Sequence, residues 1–124
     1  MTVALWCVLA VALLPLACTG IAKSGFREFD NNNPRAWLAR QQGFRARANA
    51  AQQNSWEALA MFSAAVFASQ LAHAPQGRTD VLALAFVAVR LAYIACYLGD
   101  RATLRSFIWM TGLGLTIAIF VLAA

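Results

Sequence analysis

Four long apolar runs, two of them broken by a single charge, constrain this chain more than anything else in it. Val3 to Ala22 and Phe107 to Ala124 carry no charged side chain, Trp56 to Ala72 carries only Glu57, and Val81 to Leu98 only Arg90. A helix needs roughly 20 residues to cross a bilayer, with about 17 to 25 observed. The first, third and fourth runs reach that length almost unaided. The second reaches it if its polar start, from about Phe44, continues the same helix. The sequence therefore predicts an all-α membrane protein, a four-transmembrane-helix bundle in a single domain over residues 1–124. Its spans fall at about 3–22, 44–73, 79–98 and 103–123, joined by short loops.

Composition agrees. Apolar residues make up 61% of the chain and charged ones 12%, where a soluble domain carries about a quarter charged. The net charge of +5 is distributed by topology: Lys23, Arg27, Arg35, Arg40, Arg45 and Arg47 lie between the first and second runs, and Arg101 and Arg105 between the third and fourth. The loop between the second and third offers only Arg78. The positive-inside rule then puts loops one and three in the cytoplasm, with loop two and both termini outside. A nucleic-acid surface would need exposed aromatics interleaved with the bases on a soluble scaffold, so no nucleic-acid partner is expected. The first run is read as a span, because the residues before it lack the Lys or Arg of a cleaved signal peptide.

The loops carry their own signals. Asn33 followed by Pro34 predicts a helix start, with Asn33 as cap and a short helix from Pro34 to Gln41. That helix puts Trp37 and Leu38 on one side and Arg35 and Arg40 towards headgroups. Gly43 marks a bend before the second span. Residues 74–78 predict a tight turn, with Thr79 and Asp80 capping the third span. Thr111, Gly112, Gly114 and Thr116 give the fourth span small residues for close packing. Cys7, Cys18 and Cys96 lie inside apolar runs and read as small buried hydrophobes. With His73 isolated, no metal site is expected.

The candidate site is a polar ladder at membrane depth. At about 100° per residue, positions 47, 50, 54, 57 and 61 share one helical face, so Arg47, Asn54 and Glu57 line up. Arg90, Tyr93 and Tyr97 do the same on the third span, and Arg105 follows at the start of the fourth. An ionisable group at that depth is expensive and normally faces protein for a purpose. Guanidinium groups grip carboxylates in bidentate fashion, and Glu57 can take an amine. The set suits a small flexible zwitterion with several carboxylates. The same groups also fit two plainer roles: Glu57 and Arg90 pairing to close the bundle, or basic residues holding a lipid headgroup.

The motifs resemble the MAPEG family, the membrane-associated proteins in eicosanoid and glutathione metabolism. Arg47 with AQQNSWE at 51–57, RLAYIACY at 90–97 and TLRS at 103–106 carry the resemblance, and NPR at 33–35 is similar to the bacterial branch. The resemblance implies a four-helix bundle, a homotrimer, and glutathione or another small thiol bound between subunits near the cytoplasmic face of a bacterial inner membrane. By position, Arg47, Asn54, Glu57, Arg90, Tyr93 and Tyr97 would bind glutathione as co-substrate, and Arg105 would stabilise its thiolate. The implied activity is a glutathione-dependent transferase or peroxidase acting on hydrophobic electrophiles or lipid hydroperoxides. The alternative is a non-catalytic relative whose polar pocket binds a lipid headgroup or closes the trimer. The sequence departs from the family's stronger members at Ala50, where they carry arginine, and at Ala46 and Ala58.

Overall fold

The computed structural model describes residues 1–25 and 28–124. Phe26 and Arg27, part of the turn-rich basic loop, lie outside the described residues. Five helices follow one another: α1 (Val3–Ala22), α2 (Pro34–Ala39), α3 (Phe44–Leu71), α4 (Gln76–Leu98) and α5 (Ala102–Ala123). Helices α1, α4 and α5 are each long and apolar enough to cross a membrane. The protein is an integral membrane protein in contact with lipid.

The long helices pack by small residues. Ala4, Cys7, Val11, Cys18 and Ala22 of α1 are buried, as are Ala48, Ala51 and Ala65 of α3. Without a hydrophobic drive between helices in lipid, close backbone approach through such residues supplies the association energy. The opposite stripe of α1, formed by Trp6, Leu9, Leu13 and Leu16, is exposed and apolar. That is the inverse of a soluble helix and the expected face for acyl chains.

Three layers run along the bundle. One joins Cys7 and Val11 to Phe62, Val66 and Phe86. The next joins Cys18 and Ala51 to Tyr93 and Ile94. The third joins Ala22 and Ala48 to Trp37 and Leu38 of α2. Helix α3 therefore runs beside α1 through all three layers, although its polar residues keep it out of the apolar set. At 28 residues it is about 42 Å long.

The connections depart from the sequence reading in detail. Gly43 does open α3, with φ +63° and ψ −139°, a conformation that only glycine enters without strain. Asn33 makes no side-chain cap to α2, and Pro34 at the first helical position sets the start instead. The short helix ends at Ala39 rather than Gln41.

Between α3 and α4 the chain reverses at His73, which takes φ +52°. The His73 amide donates to the Gln70 carbonyl and the Ala74 amide to the Ser69 carbonyl, the paired bonds of a Schellman ending. Because the reversal is finished there, α4 begins at Gln76 behind Pro75, and 76–78 are helical rather than a turn. Thr79 and Asp80 fall inside α4, so neither caps it. Asp80 instead accepts the Ala4 amide of α1 at 2.8 Å. The end of α4 repeats the Schellman pattern, with Asp100 at φ +57° and the Arg101 amide donating to the Cys96 carbonyl. In α5, Gly112 and Thr116 are buried while Thr111 and Gly114 are exposed.

Candidate functional site

Helices α3, α4 and α5 bring the polar residues together in one layer. Arg90, only 3% exposed, donates through Nη2 to Asn54 Oδ1 at 3.0 Å and to Ser55 Oγ at 3.3 Å. Ser55 Oγ donates in turn to the Ala51 carbonyl at 2.7 Å. Asn54 Nδ2 donates to Glu57 Oε2 at 3.3 Å. Arg90 and Glu57 are thus linked through Asn54, and the chemistry dictates that order. A guanidinium only donates and a carboxylate only accepts, so the residue between them must do both.

Stacking extends the network. The Arg90 guanidinium carbon lies 4.2 Å from the centre of the Tyr93 ring. Tyr93 meets Tyr97 edge to face at 5.7 Å, and the Arg105 guanidinium carbon sits 4.1 Å over Tyr97. A guanidinium seated over an aromatic ring gains cation–π stabilisation and can still donate its N–H groups to an anion.

Arg47 is placed differently. Its Nε donates to the Leu98 carbonyl at 3.2 Å, one of the carbonyls left without a helical partner at the end of α4. It braces that helix end, while Asn54 is committed to Arg90 and Glu57 to Asn54. Its neighbour Arg45 plays a matching part, with Nη1 donating to the Ala22 carbonyl at the end of α1 at 3.0 Å.

Two cavities open beside the network. The smaller, about 100 Å³, is bounded by Asn54, Glu57, Arg90, Met61, Trp109 and Gly112. The larger, about 360 Å³, is bounded by Asn54, Tyr93, Arg105, Ser106, Trp109 and Met110. Asn54 and Trp109 border both. Within the described residues, Arg90 Nε is buried without a hydrogen-bond partner, and Glu57 is exposed on α3 between the exposed Trp56 and Met61.

Sequence reasoning did not single out Ser55 or Trp109. Trp109 was findable, because it lies one turn beyond Arg105 on the same face of α5. Ser55 gives no such signal, since a serine in a run of alanines reads as a small packing residue. Among the described residues, no group of His, Cys, Asp or Glu could hold a metal ion. All three cysteines are free thiols.

The fold and the layer define the class: a helical integral membrane protein with a cationic, hydrogen-bonded site between its helices. The chain belongs to the MAPEG family, whose model matches residues 3–124. Neither the curated proteins nor the solved structures give a match to this chain. Family membership ties it to membrane-bound glutathione chemistry at the level of the family.

Proposed function

We propose that this protein is a membrane-bound glutathione-dependent transferase or peroxidase that activates the glutathione thiol against hydrophobic electrophiles or lipid hydroperoxides. The observation that carries the reading is the pairing of two arginines on two tyrosines in one layer, Arg90 on Tyr93 and Arg105 on Tyr97. One arginine is buried and fixed by Asn54 and Ser55. The other borders the larger cavity together with Ser106 and Trp109.

The parts of glutathione fit this division of labour. Its carboxylates suit the guanidiniums, and the free Arg90 Nε–H is a donor that a carboxylate satisfies. Its amine suits Glu57. Its thiol, mostly protonated near neutrality when free, becomes nucleophilic when a cation favours the thiolate. Arg105 is that cation. In transfer, the thiolate sulfur bonds the electrophilic carbon, and the leaving group departs with the bonding pair. In peroxide reduction, the sulfur attacks the terminal peroxide oxygen, the O–O bond breaks, the lipid alkoxide leaves and takes a proton to become the alcohol, and a second thiol converts the sulfenic acid to disulfide and water.

Four spans and a homotrimer belong to the same proposal. Helix α3 accompanies α1 through every layer, which supports a fourth crossing. Glu57 is exposed on that helix, and a carboxylate facing lipid costs about 3 kcal/mol. A neighbouring subunit and the glutathione between them would remove that cost. The basic residues Arg35, Arg40 and Arg101 favour loops one and three in the cytoplasm, with both termini outside a bacterial inner membrane.

The test is a titration of the detergent-purified protein with glutathione, following thiolate absorbance in the ultraviolet, with Arg105→Ala alongside. A saturable signal that disappears in the folded, assembled variant is expected. No signal from the folded wild-type protein overturns the reading.

A further inference from the structure

At the far end of the bundle from the polar network, the start of α4 and the end of α5 line an open groove of about 320 Å³. Gly77, Arg78, Val81, Leu82 and Leu122 line it. Arg78 and Arg90 are separated by about 18 Å along α4, so this groove belongs to neither cavity of the site. We propose that it binds one membrane phospholipid with an anionic headgroup, an acyl chain lying along Val81, Leu82 and Leu122 and the phosphate meeting Arg78.

Charge selects the occupant. Arg78 is in the first turn of α4, where no acidic residue balances the positive end of the helix dipole. A cation at that position adds to the dipole instead of opposing it. Asp80, the nearest acidic residue in sequence, points about 200° away around the helix. Its carboxylate accepts the Ala4 amide at 2.8 Å and the Gln76 amide side chain at 2.7 Å. The groove therefore presents positive potential at its rim and apolar walls below. An anionic headgroup on acyl chains matches both features. A free phosphate ion matches only the first, and a zwitterionic lipid brings its own cation to Arg78.

Gly77 lines the groove. A Cβ built there meets nothing within 4 Å, so a larger side chain at this wall position is tolerated without disturbing the helix backbone. Gly77→Leu is therefore a blocking variant, and leucine is also the better helix former.

The experiment is native mass spectrometry of the full chain released from detergent, with dioleoyl phosphatidylglycerol or dioleoyl phosphatidylcholine added, and inorganic phosphate as a third arm. The wild type is expected to retain one phosphatidylglycerol per chain in preference to phosphatidylcholine. Arg78→Gln should reduce that preference roughly fivefold, the usual weight of one basic residue at an anionic membrane surface. Gly77→Leu should remove the retained lipid of both kinds. Arg35→Gln, on the exposed face of α2 at the other end, should change nothing. Equal retention of the two lipids by the wild type overturns the proposal. So does an unchanged preference in Arg78→Gln, an equal drop in Arg35→Gln, or displacement of the lipid by millimolar phosphate.

Discussion

Two neighbouring layers of the bundle hold the same helices together by different means. In one, Phe62 of α3 and Phe86 of α4 stack with ring centres 4.1 Å apart and planes 6° from parallel. One turn along α4, Arg90 replaces the aromatic contact with hydrogen bonds to Asn54 and Ser55. The aromatic layer asks only for volume and shape, which several apolar side chains can supply. The polar layer asks for a donor, a bridge and an acceptor in one order, which very few residues can supply. Stability is therefore expected to rest more on the first and specificity more on the second.

The largest effect should come from emptying the aromatic layer. Phe62 is fully buried, and Phe62→Ala is expected to cost about 3 kcal/mol, the low end for such truncations because lipid leaves mainly the packing contribution. Phe62→Leu should cost about 1 kcal/mol. Reversible unfolding in mixed micelles measures both. A cost for Phe62→Ala close to that of Phe62→Leu would mean the layer refills by itself, and the contrast with the polar layer would fail.

The polar layer is tested by coupling rather than by size. Asn54→Leu and Arg90→Met remove the two partners of the 3.0 Å bond separately and together. A coupling of about 1.5 kcal/mol is expected, near the top of the range for hydrogen bonds within membranes because the donor is charged. Asn54→Asp is expected to cost less than Asn54→Leu, since its carboxylate still accepts from the buried Arg90 while the repulsion it adds falls on the exposed Glu57. Additive costs in the cycle would show that Arg90 is held by packing on Tyr93 and not by Asn54.

Much of this was legible in the chain, and the parts that were not share a cause. Helical spacing alone places Arg90, Tyr93 and Tyr97 on one face and Asn54 and Glu57 on another, and the structure joins the two faces. Spacing cannot say where a long side chain ends, so Arg47 lines up with Asn54 and Glu57 yet reaches the Leu98 carbonyl. Which residue takes the left-handed position at each helix end also escaped. Glycine is the usual left-handed residue at a helix end, but at the end of α4 Gly99 stays at φ −80°. Asp100 takes the left-handed position instead, and His73 does so after α3. The groove beside Gly77 needs the end of α5 next to the start of α4, a proximity no local pattern records.

Asp80 offers the smallest and cleanest comparison, because a hydrogen-bond chain that ends on it joins three helices at the end where no polar site was expected. Gln70 of α3 donates to Gln76 at 3.1 Å, and Gln76 donates to Asp80 at 2.7 Å. Asp80 accepts the Ala4 amide, a free donor of the first turn of α1. Thr2 accepts the next amide, Leu5, at 3.3 Å. A carboxylate at a helix N-terminus is favourable through both the hydrogen bond and the dipole. Asp80→Asn keeps an oxygen acceptor and loses the charge, so it should cost only about 0.5 kcal/mol. Asp80→Ala loses both and should cost about 1 kcal/mol. Hydrogen exchange at the Ala4 amide separates the two contributions. Protection should survive in Asp80→Asn and fall in Asp80→Ala, whereas equal loss in both would assign the contact to charge alone.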